Sequence, residues 1–115
     1  GIAACLNNLA LIARDEGRLD VALEHSRNCV TRFRALDARP SLASALANLG
    51  CLAIEAGDPR EGMAPLEEAR SLYEILEDPV GVAKCNHDLG EAMVRLGKLD
   101  SARSLLVDSL RQRVL

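Results

Sequence analysis

The segment Cys85-Asn86-His87-Asp88 brings together the side chains with the most potential for chemistry. A thiol, an imidazole and a carboxylate can bind a transition metal, and an imidazole beside a thiol can activate it as a nucleophile. On a helix, however, residues i and i+2 do not face each other, so Cys85 and His87 would point apart. We therefore expect Cys85 in the core, His87 on the surface, and no metal site.

The rest of the chain offers no alternative catalytic set. The other histidine, His25, belongs to no nucleophile–base–orienter arrangement that spacing alone would assemble. The glycines recur at predicted helix ends and crossings and form no phosphate-binding loop. The sequence predicts a protein that is not an enzyme, with no catalytic residue and no cofactor.

A second kind of chemistry, recognition by amide side chains, is suggested by Asn8 and Asn48. A carboxamide can donate and accept hydrogen bonds at once, which suits it to pair with a peptide backbone. Asp88 holds the equivalent position further along the chain, where its carboxylate can only accept. What these side chains can bind depends on the elements that place them side by side.

An internal repeat of forty residues organises those elements. Three motifs are in register without a gap: Asn8-Leu9-Ala10, Asn48-Leu49-Gly50 and Asp88-Leu89-Gly90. The repeat predicts a single array of three units at about 1–38, 39–78 and 79–115. Because the chain begins Gly1-Ile2-Ala3, without a methionine, we expect it to be a fragment of a longer protein.

Each unit is predicted to form two antiparallel amphipathic helices, A and B, because its apolar residues recur at three-and-four spacing. The predicted helix A faces are Ile2, Cys5, Leu6, Leu9, Ala10 and Ala13; Leu42, Ala45, Leu46, Leu49, Leu52, Ala53 and Ala56; and Val82, Cys85, Leu89, Ala92, Met93 and Leu96. The helix B faces are Ala22, Ser26, Cys29, Phe33 and Leu36; Gly62, Leu66, Ala69, Tyr73 and Leu76; and Ala102, Leu106, Leu110 and Val114. Gly17, Gly57 and Gly97 are expected to end the A helices. The fold class is thus all-α, with six helices.

Composition excludes several classes of function. The 115 residues are 49% hydrophobic and 27% charged, which is enough for one modest core. A net charge of −3, with both signs interspersed, predicts no direct binding to nucleic acid or to a membrane surface. No apolar run approaches the roughly 18 residues of a membrane span. Four cysteines without C-x-x-C spacing, Cys5, Cys29, Cys51 and Cys85, indicate reduced thiols and a cytoplasmic setting.

These features resemble the tetratricopeptide repeat family along the whole chain. The family's leucine–glycine pair corresponds to Leu49-Gly50 and Leu89-Gly90, and its inter-helix glycine to Gly57. The resemblance implies a right-handed α-solenoid of three helix-turn-helix units. The forty-residue unit is longer than the family's usual length of about 34 residues. With Leu6-Asn7-Asn8-Leu9-Ala10, it resembles the arrays of large bacterial regulators, including transcription regulators, and those of kinesin light chains.

The resemblance implies that a peptide or protein segment binds in a concave groove lined by the A helices. The expected groove residues are Asn7, Asn8, Leu11, Arg14, Asn48, Cys51, Glu55, Lys84, His87, Asp88, Glu91 and Arg95, with Ala47, Ile54 and Val94 between them. In related arrays the asparagines at the positions of Asn8 and Asn48 bond the backbone of the bound peptide. The alternative is that these asparagines bond within the array.

The predicted function is therefore a protein–protein interaction module, serving as the sensing or scaffolding part of a larger bacterial regulatory protein. The alternatives are a cargo-adaptor array and a structural spacer or self-association element acting through exposed terminal helices. Self-association is suggested by the apolar residues that crowd the last predicted helix: Leu105, Leu106, Val107, Leu110, Val114 and Leu115. Helix stacking also predicts that a bulky residue at Ala83 or Gly90 overpacks a helix crossing.

Overall fold

The structure is a computed structural model that describes the backbone of residues 2–114 and the side chains of residues 7–108, 110 and 111. It consists of five α-helices: α1 (Ile2–Asp15), α2 (Leu19–Ala35), α3 (Arg39–Glu55), α4 (Pro59–Ile75) and α5 (Pro79–Val114). The described residues contain no β-strand. None of the described helices is both long and apolar enough to cross a membrane.

Four tight turns of one kind join the five helices into antiparallel hairpins. Gly17 and Gly57, with φ of 80° and 89°, adopt the left-handed conformation in the turns after α1 and α3. Asp37 and Glu77, with φ of 52° and 56°, do so after α2 and α4. In each turn the amide of the next residue bonds a carbonyl five residues back, as when Asp58 N donates to Ala53 O over 2.9 Å. This Schellman pattern satisfies the last carbonyls of each helix.

Proline and aspartate mark the beginnings of α4 and α5. Asp58 Oδ1 accepts a hydrogen bond of 3.4 Å from the amide of Glu61, and Pro59 is the first residue of α4. Asp78 Oδ1 accepts one of 3.1 Å from the amide of Gly81 at the start of α5. An aspartate N-cap followed by proline suits a helix start because proline has no amide that needs a partner there.

The core lies between consecutive helices, which pack in the order of the chain. Fully buried side chains include Cys29 on α2, Leu66 on α4 and Cys85 on α5. Glycines allow the closest approach, between α3 and α4, where a Cβ placed on Gly62 would lie 2.6 Å from the carbonyl oxygen of Gly50. Helices that bury their apolar faces mainly against their neighbours in sequence form a helical repeat array.

The predicted faces are borne out where a neighbouring helix covers them. Ala22, Ser26, Cys29, Leu66 and Ala69 are all buried. Leu9 is 46%, Leu36 is 71% and Met93 is 57% exposed, and Ala56 is exposed as well, so these four positions are wrong as core residues. Ile2, Cys5, Leu6, Val114 and Leu115 lie outside the described side chains.

The prediction of six helices is wrong, because α5 continues through Gly97 without a turn. This helix is 36 residues long and takes the place of the two helices predicted for the third repeat. The local sequence does not explain this. Gly97-Lys98-Leu99-Asp100 is nearly the same as Gly17-Arg18-Leu19-Asp20, which does turn. The difference is tertiary: α2 buries Ala22 and Cys29, whereas Ala102 and Leu106 are exposed. The straight helix keeps the backbone hydrogen bonds around Gly97 that a turn would break, and it leaves Ala102 and Leu106 uncovered.

The straight α5 also removes the predicted crossing at Gly90. A Cβ on Gly90 would meet no atom within 4 Å, and Ala83 is exposed. The expectation that bulky residues overpack these two sites is therefore wrong for this structure. The close crossing that the repeat predicts is present one unit earlier, at Gly50.

Candidate interaction surface

The helices α1, α3 and the first half of α5 carry the residues expected to bind a ligand. We call this set the helix-A surface: Asn7, Asn8, Leu11, Arg14, Asn48, Cys51, Glu55, Lys84, His87, Asp88, Glu91 and Arg95. All twelve are at least partly exposed. Ala47 and Ile54, also expected there, are only 3% exposed and belong to the core, so those two assignments are wrong.

Two asparagines join α1 to α3. Asn48 Nδ2 donates a hydrogen bond of 3.1 Å to Asn7 Oδ1 in a half-buried position. Asn48 therefore bonds within the array, the alternative that the sequence left open, while Asn8 is exposed. The bond does not use the amino group of Asn7, which is a donor, or the carbonyl oxygen of Asn48, which is an acceptor. Within the described residues, neither group makes another side-chain hydrogen bond.

A thiol and a carboxylate join α3 to α5. Cys51 Sγ donates a hydrogen bond of 3.0 Å to Asp88 Oδ2. Burial raises the pKa of the Cys51 thiol to about 12, and the hydrogen bond to Asp88 and its negative charge add to that effect. Cys51 is therefore protonated at neutral pH and is a poor nucleophile.

Alkylation of Cys51 by iodoacetamide should be slow at pH 8 and faster in Asp88→Asn, because the loss of the carboxylate charge lowers the thiol pKa. Site-resolved mass spectrometry of the labelled peptide measures the rate. Glu91→Gln is the matched control, since Glu91 pairs with Arg95 rather than with Cys51. Equal rates in the two variants would contradict the role of Asp88.

The same shift makes the folded state sensitive to alkaline pH. The pKa of Cys51 rises from an ordinary value of 9.0 to about 12 on folding. Its stabilising contribution is therefore complete below pH 9.0 and is lost as the pH rises towards 12. Urea titrations between pH 8 and 10.5 should show a smaller decrease in stability for Cys51→Ser than for the unchanged chain, because the serine hydroxyl does not titrate there. An identical decrease would contradict this assignment.

Arg95 links the far end of the helix-A surface to α3. Its guanidinium donates to the carbonyl oxygen of Ile54 over 3.2 Å and to Glu91 over 2.9 Å. Ile54 lies in the last turn of α3, where the helix dipole favours a cation, and its carbonyl also accepts from the amide of Gly57 over 3.1 Å. Arg95 thus has a structural task beside any contact with a ligand.

Helix α5 points the side chains of Cys85 and His87 in different directions, as expected. Cys85 is fully buried and His87 is exposed. Ligand atoms of His87, Asp88 and Glu91 lie within 4.8 Å of one another. Asp88 accepts from Cys51 and Glu91 pairs with Arg95, so both carboxylates are already engaged. We assign no metal site to them.

Sequence reasoning placed the helix-A residues on one surface but missed how they pair. The pairs Asn7–Asn48 and Ile54–Arg95 are 41 residues apart, and Cys51–Asp88 are 37 apart. Compared with the forty-residue repeat, the separation of 41 is longer by one residue and that of 37 is shorter by three. The two offsets differ by four residues, so they lead to positions on the same helix face. That arithmetic was available from the register. Arg34 on α2 and Glu68 on α4, which form two hydrogen bonds of 2.7 and 3.0 Å, were also missed.

The comparison with known protein families agrees with this architecture. A model of the tetratricopeptide repeat matches residues 1–75, which is more than half of the chain. The chain belongs to the tetratricopeptide repeat family. Tetratricopeptide repeats are typically non-catalytic and generally mediate protein–protein interactions. The match spans α1 to α4 and ends where α4 ends, so the straight α5 lies outside it. No curated protein matches the chain.

Proposed function

We propose that the helix-A surface binds an extended peptide or protein segment. The observation that carries the proposal is the Asn7–Asn48 pair, which presents one amide donor and one amide acceptor side by side. A peptide bond offers a carbonyl and an N–H, so an extended segment can pair with both groups. The exposed amide of Asn8 lies on the next position of α1 and supplies a further donor and acceptor.

The charges of the surface favour a segment of mixed sign. Lys84 and Arg95 on α5 stand beside Glu91 and Asp88, and Glu55 is exposed on α3. No single sign dominates, so the surface provides no strong field for an acidic tail. Specificity then comes from backbone pairing at the asparagines together with a few charged side chains of the ligand.

Linear peptides displayed on phage and selected against the chain provide the test. A selected peptide should lose about tenfold or more in affinity with Asn48→Ala, since a hydrogen bond to a buried partner is lost. Fluorescence anisotropy of the labelled peptide measures the affinity. Asn28→Ala, on the exposed face of α2, is the matched control and should leave binding unchanged. Failure to select any linear peptide, or equal affinities for the two variants, would refute the proposal.

We further place this module in the cytoplasm, as the sensing or scaffolding part of a larger bacterial regulatory protein. The forty-residue unit and the Leu6-Asn7-Asn8-Leu9-Ala10 motif support the regulatory role, and cysteines without C-x-x-C spacing support the cytoplasmic setting. A full-length reading frame that encodes an ATPase or DNA-binding domain beside the array would agree with it. A reading frame with motor-adaptor domains would favour a cargo adaptor instead.

A further inference from the structure

In the second half of α5, the described side chains, those of residues 98–108, 110 and 111, are all exposed. Leu105, Leu106 and Leu110 are 71%, 66% and 59% exposed. The first half buries Cys85, Leu89 and Ala92 against the preceding helices but leaves Met93 and Val94 each 57% exposed. One helix therefore carries two uncovered apolar faces, one on each side of Gly97.

The internal repeat indicates what covers these faces. Forty residues earlier, the counterparts of Gly90, Val94, Ala102 and Leu106 are Gly50, Ile54, Gly62 and Leu66. These four counterparts are buried against one another at the crossing of α3 and α4. Each half of α5 is thus the natural partner of the other half. The straight helix at Gly97 prevents the two halves of one chain from meeting.

A second copy of the chain can supply the missing half. The contacts Gly50–Gly62, Gly50–Leu66 and Ile54–Gly62, moved by forty residues, become Gly90–Ala102, Gly90–Leu106 and Val94–Ala102. The midpoint of each pair along the sequence lies within one residue of Gly97. Two straight α5 helices that lie antiparallel and cross at Gly97 would therefore form each pair twice, once on each side of a two-fold axis.

The charges near the crossing suit this arrangement. Glu91 and Arg103 lie six residues before and six residues after Gly97. In the antiparallel pair, Glu91 of one copy, which also pairs with Arg95 on its own helix, comes opposite Arg103 of the other, twice. Opposite charges at both equivalent places favour this register over slipped ones.

We propose that two copies of the chain pair through their straight α5 helices, so that each copy completes the third repeat of the other. Such an exchange of an identical element requires no new interface, because the repeat already encodes it. Closure within one chain would instead require Gly97 to adopt the left-handed turn seen at Gly17 and Gly57.

Size-exclusion chromatography with light scattering on the 115-residue chain tests the proposal. We expect the mass of a dimer, twice 12.4 kDa, at micromolar concentration. Leu106→Arg should raise the dimer dissociation constant by about tenfold or more, because its counterpart Leu66 is fully buried. Val107→Arg is the matched control, since its counterpart Glu67 is exposed. In the single chain Leu106 is more exposed than Val107, so circular dichroism should show both variants folded.

A third variant separates exchange from closure within one chain. Gly97→Ala favours a straight helix and disfavours the left-handed turn. The exchanged dimer should therefore persist in Gly97→Ala. A monomer at all concentrations, or a dimer that Leu106→Arg and Val107→Arg affect equally, would overturn the proposal, as would loss of the dimer in Gly97→Ala.

Discussion

Leu66→Ala is expected to lower the free energy of unfolding by about 2–5 kcal/mol. Leu66 is fully buried on α4 and packs in the main core cluster with Cys29, Leu46 and Cys85. Truncation removes the free energy gained by burying the leucine side chain. It also leaves a cavity that the surrounding helices cannot close without shifting. Urea denaturation followed by circular dichroism measures the loss.

The matched control is Leu36→Ala, the same change at a side chain that is 71% exposed. The free energy of unfolding of this variant should fall by less than about 1 kcal/mol, because the leucine side chain is mostly exposed and buries little apolar surface. Similar losses at the two sites would mean that α4 does not pack as described.

Gly50→Ala is expected to destabilise the fold by about 1–3 kcal/mol, although alanine is the better helix former. A Cβ on Gly50 would lie 2.5 Å from Cγ of Leu66 and 2.9 Å from the carbonyl oxygen of Gly62. The leucine could change its rotamer, but the backbone carbonyl of α4 cannot move without displacing the helix. The overpacking should outweigh the gain in helix propensity of about 1 kcal/mol.

Gly97→Ala provides the control for this substitution, because Gly97 is helical and a Cβ there meets no atom within 4 Å. It should raise stability by up to about 1 kcal/mol. The double variant Gly50→Ala, Leu66→Ala should cost less than the two single losses combined, since one clash partner is then absent. Strict additivity would show that Gly50 and Leu66 do not touch.

The parts of the fold that follow from the sequence are those set by local signals. The three-and-four spacing of apolar residues located α1 to α4, and Gly17, Gly57 and the Asp58-Pro59 cap located turns between them. The state of Gly97 could not be predicted in this way. Its neighbours match those of Gly17, so the difference between the two glycines lies outside the local sequence. Burial is a property of the whole array, which local spacing does not contain.

The candidate surface could be predicted as a set of positions but not as a set of bonds. Helix periodicity placed Asn7, Asn48, Cys51 and Asp88 on one side of the array. Whether an amide points to a ligand or to its neighbour depends on how α1, α3 and α5 are offset against one another, which the periodicity within one helix does not contain. Bonds between α3 and α5 alone occur at separations of both 37 and 41 residues, so the repeat register does not select one partner.

The four turns differ in a way that bears on how the array unfolds. The turns after α1 and α3 place glycine in the left-handed conformation, while those after α2 and α4 place Asp37 and Glu77 there. A residue with a Cβ is higher in energy in that conformation by about 1–2 kcal/mol, which is released when the turn opens. The junctions between repeats are thus easier to open than the turns within them. Under denaturant or mechanical load, the array should separate into intact helical hairpins before any hairpin melts.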